Sequence, residues 1–152
     1  MTATSEIQSM IAAATKAAMR ARQRDRVKAL RLINAALKQA EIDGRASLAD
    51  ADVLAVLTKM RKQRRDSLEQ FTAADREDLA AIERFEIEVI DEFMPQALSA
   101  EELEAAVADT IAAVGATGMR DMGRVMGALR DLLAGRADMG EASRLVRAAL
   151  QP

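Results

Sequence analysis

The sequence predicts an all-α protein, and three observations carry that prediction. Ala and Leu dominate, with 33 and 15 of the 152 residues, and both lose little freedom in a helix. Strand formers are scarce: there is no Tyr or Trp, only three Phe, and few β-branched runs. Breakers are rare and uneven. Residues 1–94 hold one Gly and no Pro, whereas six of the seven Gly lie at 115 or later. A residue before Pro is biased away from helix, so Met94-Pro95-Gln96 marks a joint. The expected organisation is a long-helix N-terminal unit of about four helices at 1–94, followed by a small three-helix bundle at 95–152.

Each element has its own signal. Ile7, Met10, Ile11, Ala14 and Ala18 recur at helical spacing. The charged break Arg22-Gln23-Arg24-Asp25 separates them from the face Val27, Leu30, Ile33, Leu37 and Ala40, which Asp43-Gly44 ends. Ser47 with Asp50 three residues later has the capping-box pattern, predicting a third helix with the stripe Val53, Val56, Leu57, Met60, Leu68 and Phe71. A turn at 72–75 precedes a fourth, with Leu79, Ile82, Phe85, Val89 and Phe93. In the second unit Ser99 and Glu102 form another capping box, ahead of Leu103, Val107, Ile111 and Val114. After the loop at 115–118 come Met122, Val125, Met126, Leu129 and Leu132, ended by Gly135. Asp138 with Glu141 caps a last helix bearing Leu145, Val146, Ala149 and Leu150. No repeat of 20–50 residues is apparent.

Absent residue types narrow the chemistry. Zero Cys excludes disulfides, thiolate metal sites and Cys nucleophiles. Zero His excludes imidazole catalysis and nearly all zinc and haem sites. No catalytic residue, metal site or cofactor is expected. Residues 1–15 show no basic region ahead of an apolar core, so no signal peptide is expected. No 18 apolar residues run together, so neither a membrane span nor a membrane partner is expected. A cytoplasmic location follows as the default.

The net charge of −2 conceals an asymmetry. Residues 16–65 carry 14 Lys+Arg against 5 Asp+Glu, and residues 66–109 carry 2 against 14. The plain reading is that basic and acidic helices pack side by side and neutralise each other. The sharper one is a basic face for phosphates, with Lys59, Arg61, Lys62, Arg64 and Arg65 as candidates. Their charges occupy more than one helical face, so part of the run should stay solvated. Without nearby aromatics other than Phe71, base stacking is not expected, and neither is a DNA partner. Glu83, Glu86, Glu88, Asp91 and Glu92 read as a solvated acidic face, since di-iron bundles need Glu-x-x-His pairs.

Gly123 and Gly127 sit four apart inside a helical stretch, where each costs about 1 kcal/mol relative to Ala. Their spacing predicts tight packing against another helix of the bundle, so that Leu at 123 would overpack it. The alternative is close approach of a partner's backbone, such as a phosphate chain. No phosphate-cradling Gly-x-x-x-x-Gly-Lys-[Ser/Thr] loop is present.

The stretches LRLINAALKQAEID (30–43), LTKMRKQRRDSLEQF (57–71), Met94-Pro95-Gln96 and DMGRVMGALRDLLAGRADM (121–139) together resemble the GatB/YqeY family of small bacterial proteins. The resemblance covers almost the whole chain. The family includes the C-terminal portion of GatB, a subunit of the glutamine-dependent aspartyl/glutamyl-tRNA amidotransferase, where the tail grips the tRNA body. Its Gly-x-Val-Met…Gly-[Lys/Arg]-Ala pattern falls here on Gly123, Val125, Met126, Gly135, Arg136 and Ala137, with Gly127 and Asp138 in the same segment. The resemblance implies a tRNA partner, with Arg120, Arg124 and Arg136 as candidate phosphate contacts.

The kinase-like cradle, Ser-rich amidase signature, ammonia channel and nucleotide motif are all missing. The carbon–nitrogen ligase name therefore attaches to the family by association, and no catalysis by this chain alone is implied. A non-catalytic tRNA- or RNA-associated module is the first expectation. A protein-interaction or stress-related adaptor is the second, and an accessory subunit of an amidotransferase the third.

Overall fold

Where glycine and proline are absent the chain runs helical. The computed structural model describes residues 5–152, so the first four residues of the segment read for a signal peptide lie outside the described residues. Four helices precede Pro95: α1 (Glu6–Arg20), α2 (Arg24–Gly44), α3 (Asp50–Ala73) and α4 (Glu77–Asp91). After it come α5 (Ala100–Val114), a 3-10 turn (Met119–Asp121), α6 (Met122–Leu132) and α7 (Met139–Leu150). No strand occurs among the described residues, and the protein is all-α. Contacts divide the chain into two compact units, Met1–Met94 and Pro95–Pro152.

In the first unit polar pairs set the register. Ser5 caps α1 by accepting from Gln8 N at 3.2 Å, and its hydroxyl donates to Asp50 at the start of α3. Gln8 Nε2 donates to Glu41 at 2.7 Å and Asn34 Nδ2 to Thr15 Oγ1 at 2.9 Å. One number rises as its partner falls, so α1 and α2 run antiparallel. Arg61–Asp91 at 3.0 Å and Arg64–Glu86 at 3.0 Å give the same result for α3 and α4. Between the helices lies a core of Ile11, Leu30, Ile33, Leu37, Val53, Leu57, Val89 and Ile90, with Ala18, Ala29, Leu48 and Phe93 around it.

Several stripes differ from the sequence expectation by one position. Met10 and Ile82 are 56% and 47% exposed. Leu132 is 55% exposed while Leu133 is fully buried, because Leu133 continues the i, i+4 line of Val125 and Leu129, its N–H still donating to the Leu129 carbonyl at 2.8 Å. On α7, Ala142 is buried and Ala149 exposed. Helix α3 starts later than the Ser47–Asp50 pattern predicts. Ala49 is its N-cap, and Ala49 N donates to Asp52 Oδ2 at 2.9 Å. Asp50 serves tertiary structure instead, accepting from Ser5 Oγ and from Ile7 N.

With so few glycines before Pro95, the joints use other residues in the left-handed region: Arg22, Arg45 and Asp75, with φ of 56, 51 and 56°. Each costs roughly 1 kcal/mol against glycine.

The second unit closes on Leu103, Val107, Val125, Leu129, Leu133, Ala142, Val146 and Leu150. Ser99 caps α5 by accepting from Glu102 N at 3.1 Å. Asp138 caps α7 by accepting from Gly140 N at 2.8 Å, while Glu141 pairs with Arg144 rather than reaching back to the cap. Leu98 N donates to the Arg136 carbonyl at 2.8 Å, which ties the segment before α5 to the α6–α7 turn.

Candidate functional site

The basic run on α3 divides between two faces. Arg61 and Arg64, three apart, point to α4 and pair with its carboxylates: Arg61–Asp91 at 3.0 Å, Arg64–Glu86 at 3.0 Å and Arg64–Glu83 at 3.6 Å. Lys59, Lys62 and Arg65 are exposed and make no ion pair among the described residues. The neutralising arrangement of basic and acidic helices is therefore present, and it engages two of the five candidate phosphate contacts with carboxylates.

Two α4 carboxylates correct the expectation of a solvated acidic face. Glu83 and Glu86 are only 9% and 8% exposed, whereas Glu88, Asp91 and Glu92 are exposed, Glu88 without an ion pair among the described residues. Asp91 reaches Arg61, and Glu92 takes a two-oxygen contact from Arg26 at 2.7 and 2.9 Å. The reason is rotational: Ala80, Glu83, Glu86 and Ile90 turn inward together, which brings two carboxylates onto Arg64 and leaves Ile82 outside. One guanidinium serves two carboxylates, and Arg64 Nε and Glu83 Oε2 have no hydrogen-bond partner. Burial is the main cause that pushes the Glu83 carboxyl above its ordinary range, aided by Glu86 and opposed by Arg64. Among the described residues no group of three or more carboxylates is placed to hold a metal ion.

In the second unit the three arginines lie in three different segments. Arg120 lies in the 3-10 turn and Arg124 in α6. Arg120 is exposed and carries no ion pair. Arg124 pairs with Asp121 at 3.0 Å, its side chain still 60% exposed. Asp121 also accepts from Thr117 N at 2.9 Å, and that backbone bond, more than Arg124, holds its carboxyl below the usual range. Arg136 is half-buried and turns to its own unit, with Nε donating to the Gln96 carbonyl at 3.4 Å.

Most of the Gly-x-Val-Met…Gly-Arg-Ala segment has an internal role. Val125 is fully buried, Met126 and Ala137 pack against the core, Gly135 takes a left-handed turn at φ 71°, and Asp138 caps α7. Gly123 and Gly127 are different. A Cβ built on either meets nothing within 4 Å, and both are exposed. The expectation of tight packing within the bundle is thus overturned: the core side of α6 is formed by Val125 and Leu129, and the glycines fall on the opposite side. Gly123→Ala with Gly127→Ala is accordingly expected to raise stability by about 0.5–1 kcal/mol per site, read as an increased thermal midpoint. An unchanged or lower midpoint would contradict the open face.

A further basic surface escaped the sequence reading. Where α1 turns into α2, Met19, Arg22, Arg24, Val27, Lys28, Arg31 and Leu32 line a groove of about 790 Å³. The signal was available in the spacing of Arg24, Lys28 and Arg31, at i, i+4 and i+7 on α2. No helix among the described residues is long and apolar enough to cross a membrane.

The family described as Yqey-like protein matches residues 8–150, nearly the whole chain. An uncharacterized protein of the yeast Schizosaccharomyces pombe is 35% identical over 78 residues, covering 51% of this chain and 63% of that protein. The match spans less than two thirds of that relative, and the likeness is not confined to bacteria.

Proposed function

Because the chain belongs to the YqeY-like protein family, we propose that it acts as a non-catalytic RNA-associated helical module, with tRNA as the partner and the α6 surface as the contact. One observation carries this reading. Gly123 and Gly127 cost helix stability and relieve no contact inside the protein. An external backbone approaching α6 closely is a use for two positions without side chains, with Arg124 in the same helix and Arg120 in the 3-10 turn that leads into it. Phosphates suit such a place, since guanidinium groups contact them in pairs and the contact carries no base specificity.

The test exploits the open face. Gly123→Leu with Gly127→Leu leaves the core untouched and blocks the approach. Binding of unfractionated tRNA should weaken at least about tenfold, with no loss of thermal midpoint. Arg120→Glu with Arg124→Glu should flatten the slope of log K against log salt by about 2. If the double-Leu variant binds tRNA as the wild type does, or the wild type does not bind at low salt, the reading is wrong. A protein adaptor, with or without an amidotransferase as partner, then inherits the case.

A further inference from the structure

We propose that the surface formed by the end of α1 and the first turns of α2 docks an acidic, amphipathic helical segment of a partner protein. Its groove is lined by four cations, Arg22, Arg24, Lys28 and Arg31, and by three apolar side chains, Met19, Val27 and Leu32. No carboxylate lines it. Among the described residues the four cations make no ion pair or side-chain hydrogen bond, whereas Arg26, two positions from both Arg24 and Lys28, is held by Glu92. Arg24/Lys28 and Lys28/Arg31 are like-charge neighbours at i,i+4 and i,i+3, an arrangement that destabilises a helix. Asp25 is their only carboxylate neighbour on this part of α2 and pairs with none of them, and a carboxylate-bearing partner would offset the repulsion.

The apolar half of the groove decides between anions. Met19 is 51% and Leu32 42% exposed, flanking the cations rather than lying apart from them. A phosphodiester chain would satisfy the cations and leave both side chains wet, and no aromatic is present to stack a base. A helix with carboxylates on its flanks and aliphatic side chains on its seam satisfies both classes at once. Thioether side chains such as Met19 adapt to varied aliphatic partners. Arg24 to Leu32 spans about 12 Å of α2 at 1.5 Å per residue, the length of roughly two turns of a docked helix. Leu32 also borders a smaller cleft whose lining includes Ala36 and Met60 but also Gln63, Arg64 and Glu86, so the surface beyond the cations is mixed. This surface shares no residue with α6, and the fate of either proposal leaves the other standing.

The probe is a labelled synthetic helix of about 14 residues, with Leu at i, i+3, i+4 and i+7 and Glu flanking them, titrated into the full chain. Saturable binding that weakens with salt is expected, and none by the same peptide with Lys for Glu. Arg24→Glu with Lys28→Glu should weaken it at least about tenfold. Met19→Ser with Leu32→Ser should weaken it by a similar factor, and do so at high salt as well. All four positions are exposed, and circular dichroism checks that each variant keeps its helices. Absence of binding by the wild type at low salt overturns the proposal. So does binding that Met19→Ser with Leu32→Ser leaves unchanged while poly(U) RNA displaces the peptide, since the groove would then be a polyphosphate site.

Discussion

Leu129→Ala is expected to unfold the C-terminal unit while the helices before Pro95 persist. Leu129 is fully buried at the centre of a core with only eight buried residues. Deleting a buried Leu side chain to Ala costs about 2–5 kcal/mol, more where neighbours cannot collapse into the space. A unit of this size, Pro95–Pro152, has a stability of roughly 3–9 kcal/mol at 0.05–0.15 kcal/mol per residue, so the loss consumes a large share of it. The two cores have no residue in common. Amide hydrogen exchange should lose protection across α5, α6 and α7 and keep it across α1 to α4. Leu132→Ala, one turn position away but 55% exposed, should change stability by less than about 0.5 kcal/mol. Uniform loss over the whole chain would show that the units do not unfold separately.

The second large effect is expected at Arg64. Its removal leaves Glu83 and Glu86, with side chains 12% and 11% exposed, facing each other without a cation. Breaking a buried pair by deleting one partner costs about 3–5 kcal/mol, and the lower end applies because the Arg64 side chain is itself 31% exposed. Arg64→Ala should therefore lower stability at neutral pH by about 3 kcal/mol.

The sign of the pH dependence follows from the direction of the Glu83 shift. Its carboxyl is raised in the folded protein, chiefly by burial, so the folded state binds that proton more tightly than the unfolded state. The stability it contributes is full below the ordinary glutamate range and is lost as pH rises through the raised value. Removing Arg64 accentuates this, and the penalty should shrink as urea melts are repeated toward pH 4. Glu83→Gln, which removes the charge whose oxygen lacks a partner, should instead stabilise at neutral pH by up to about 1 kcal/mol. A penalty for Arg64→Ala that is equal at neutral and acid pH would mean that the carboxylates do not depend on it.

The fold was legible because its signals are local. Pro95, the clustered glycines after it and the apolar repeats each act within a few residues, and every helix falls in the expected stretch. The misplaced edges have tertiary causes. Asp50 looked like half of a capping box, but it is taken by Ser5 from 45 positions earlier. Ile82 looked like a core residue and Glu83 like a surface one. Their exchange sets Glu83 and Glu86 against Arg64 of the neighbouring helix, and no periodicity within α4 contains that information.

The candidate site was less legible for the same reason. Sequence spacing can place Arg61 and Lys62 in one basic run, yet only the neighbouring helix decides that Arg61 is paired and Lys62 is open. Gly123 and Gly127 were conspicuous in the sequence as costs. Whether the space they leave lies inside or outside the bundle required knowing which side of α6 Val125 and Leu129 occupy.

The division at Pro95 has a consequence for how the chain is made. Every side chain of the first core lies before that residue, so the full set has been synthesised before any part of the second core exists. Translation at roughly 5–20 residues per second needs about 3–12 s for the stretch after Pro95. Helical bundles with mostly sequential contacts close in microseconds to milliseconds. Once its last helix has cleared the ribosome, the first unit has ample time to settle, and the apolar stripes of α5, α6 and α7 emerge after the first core is already enclosed.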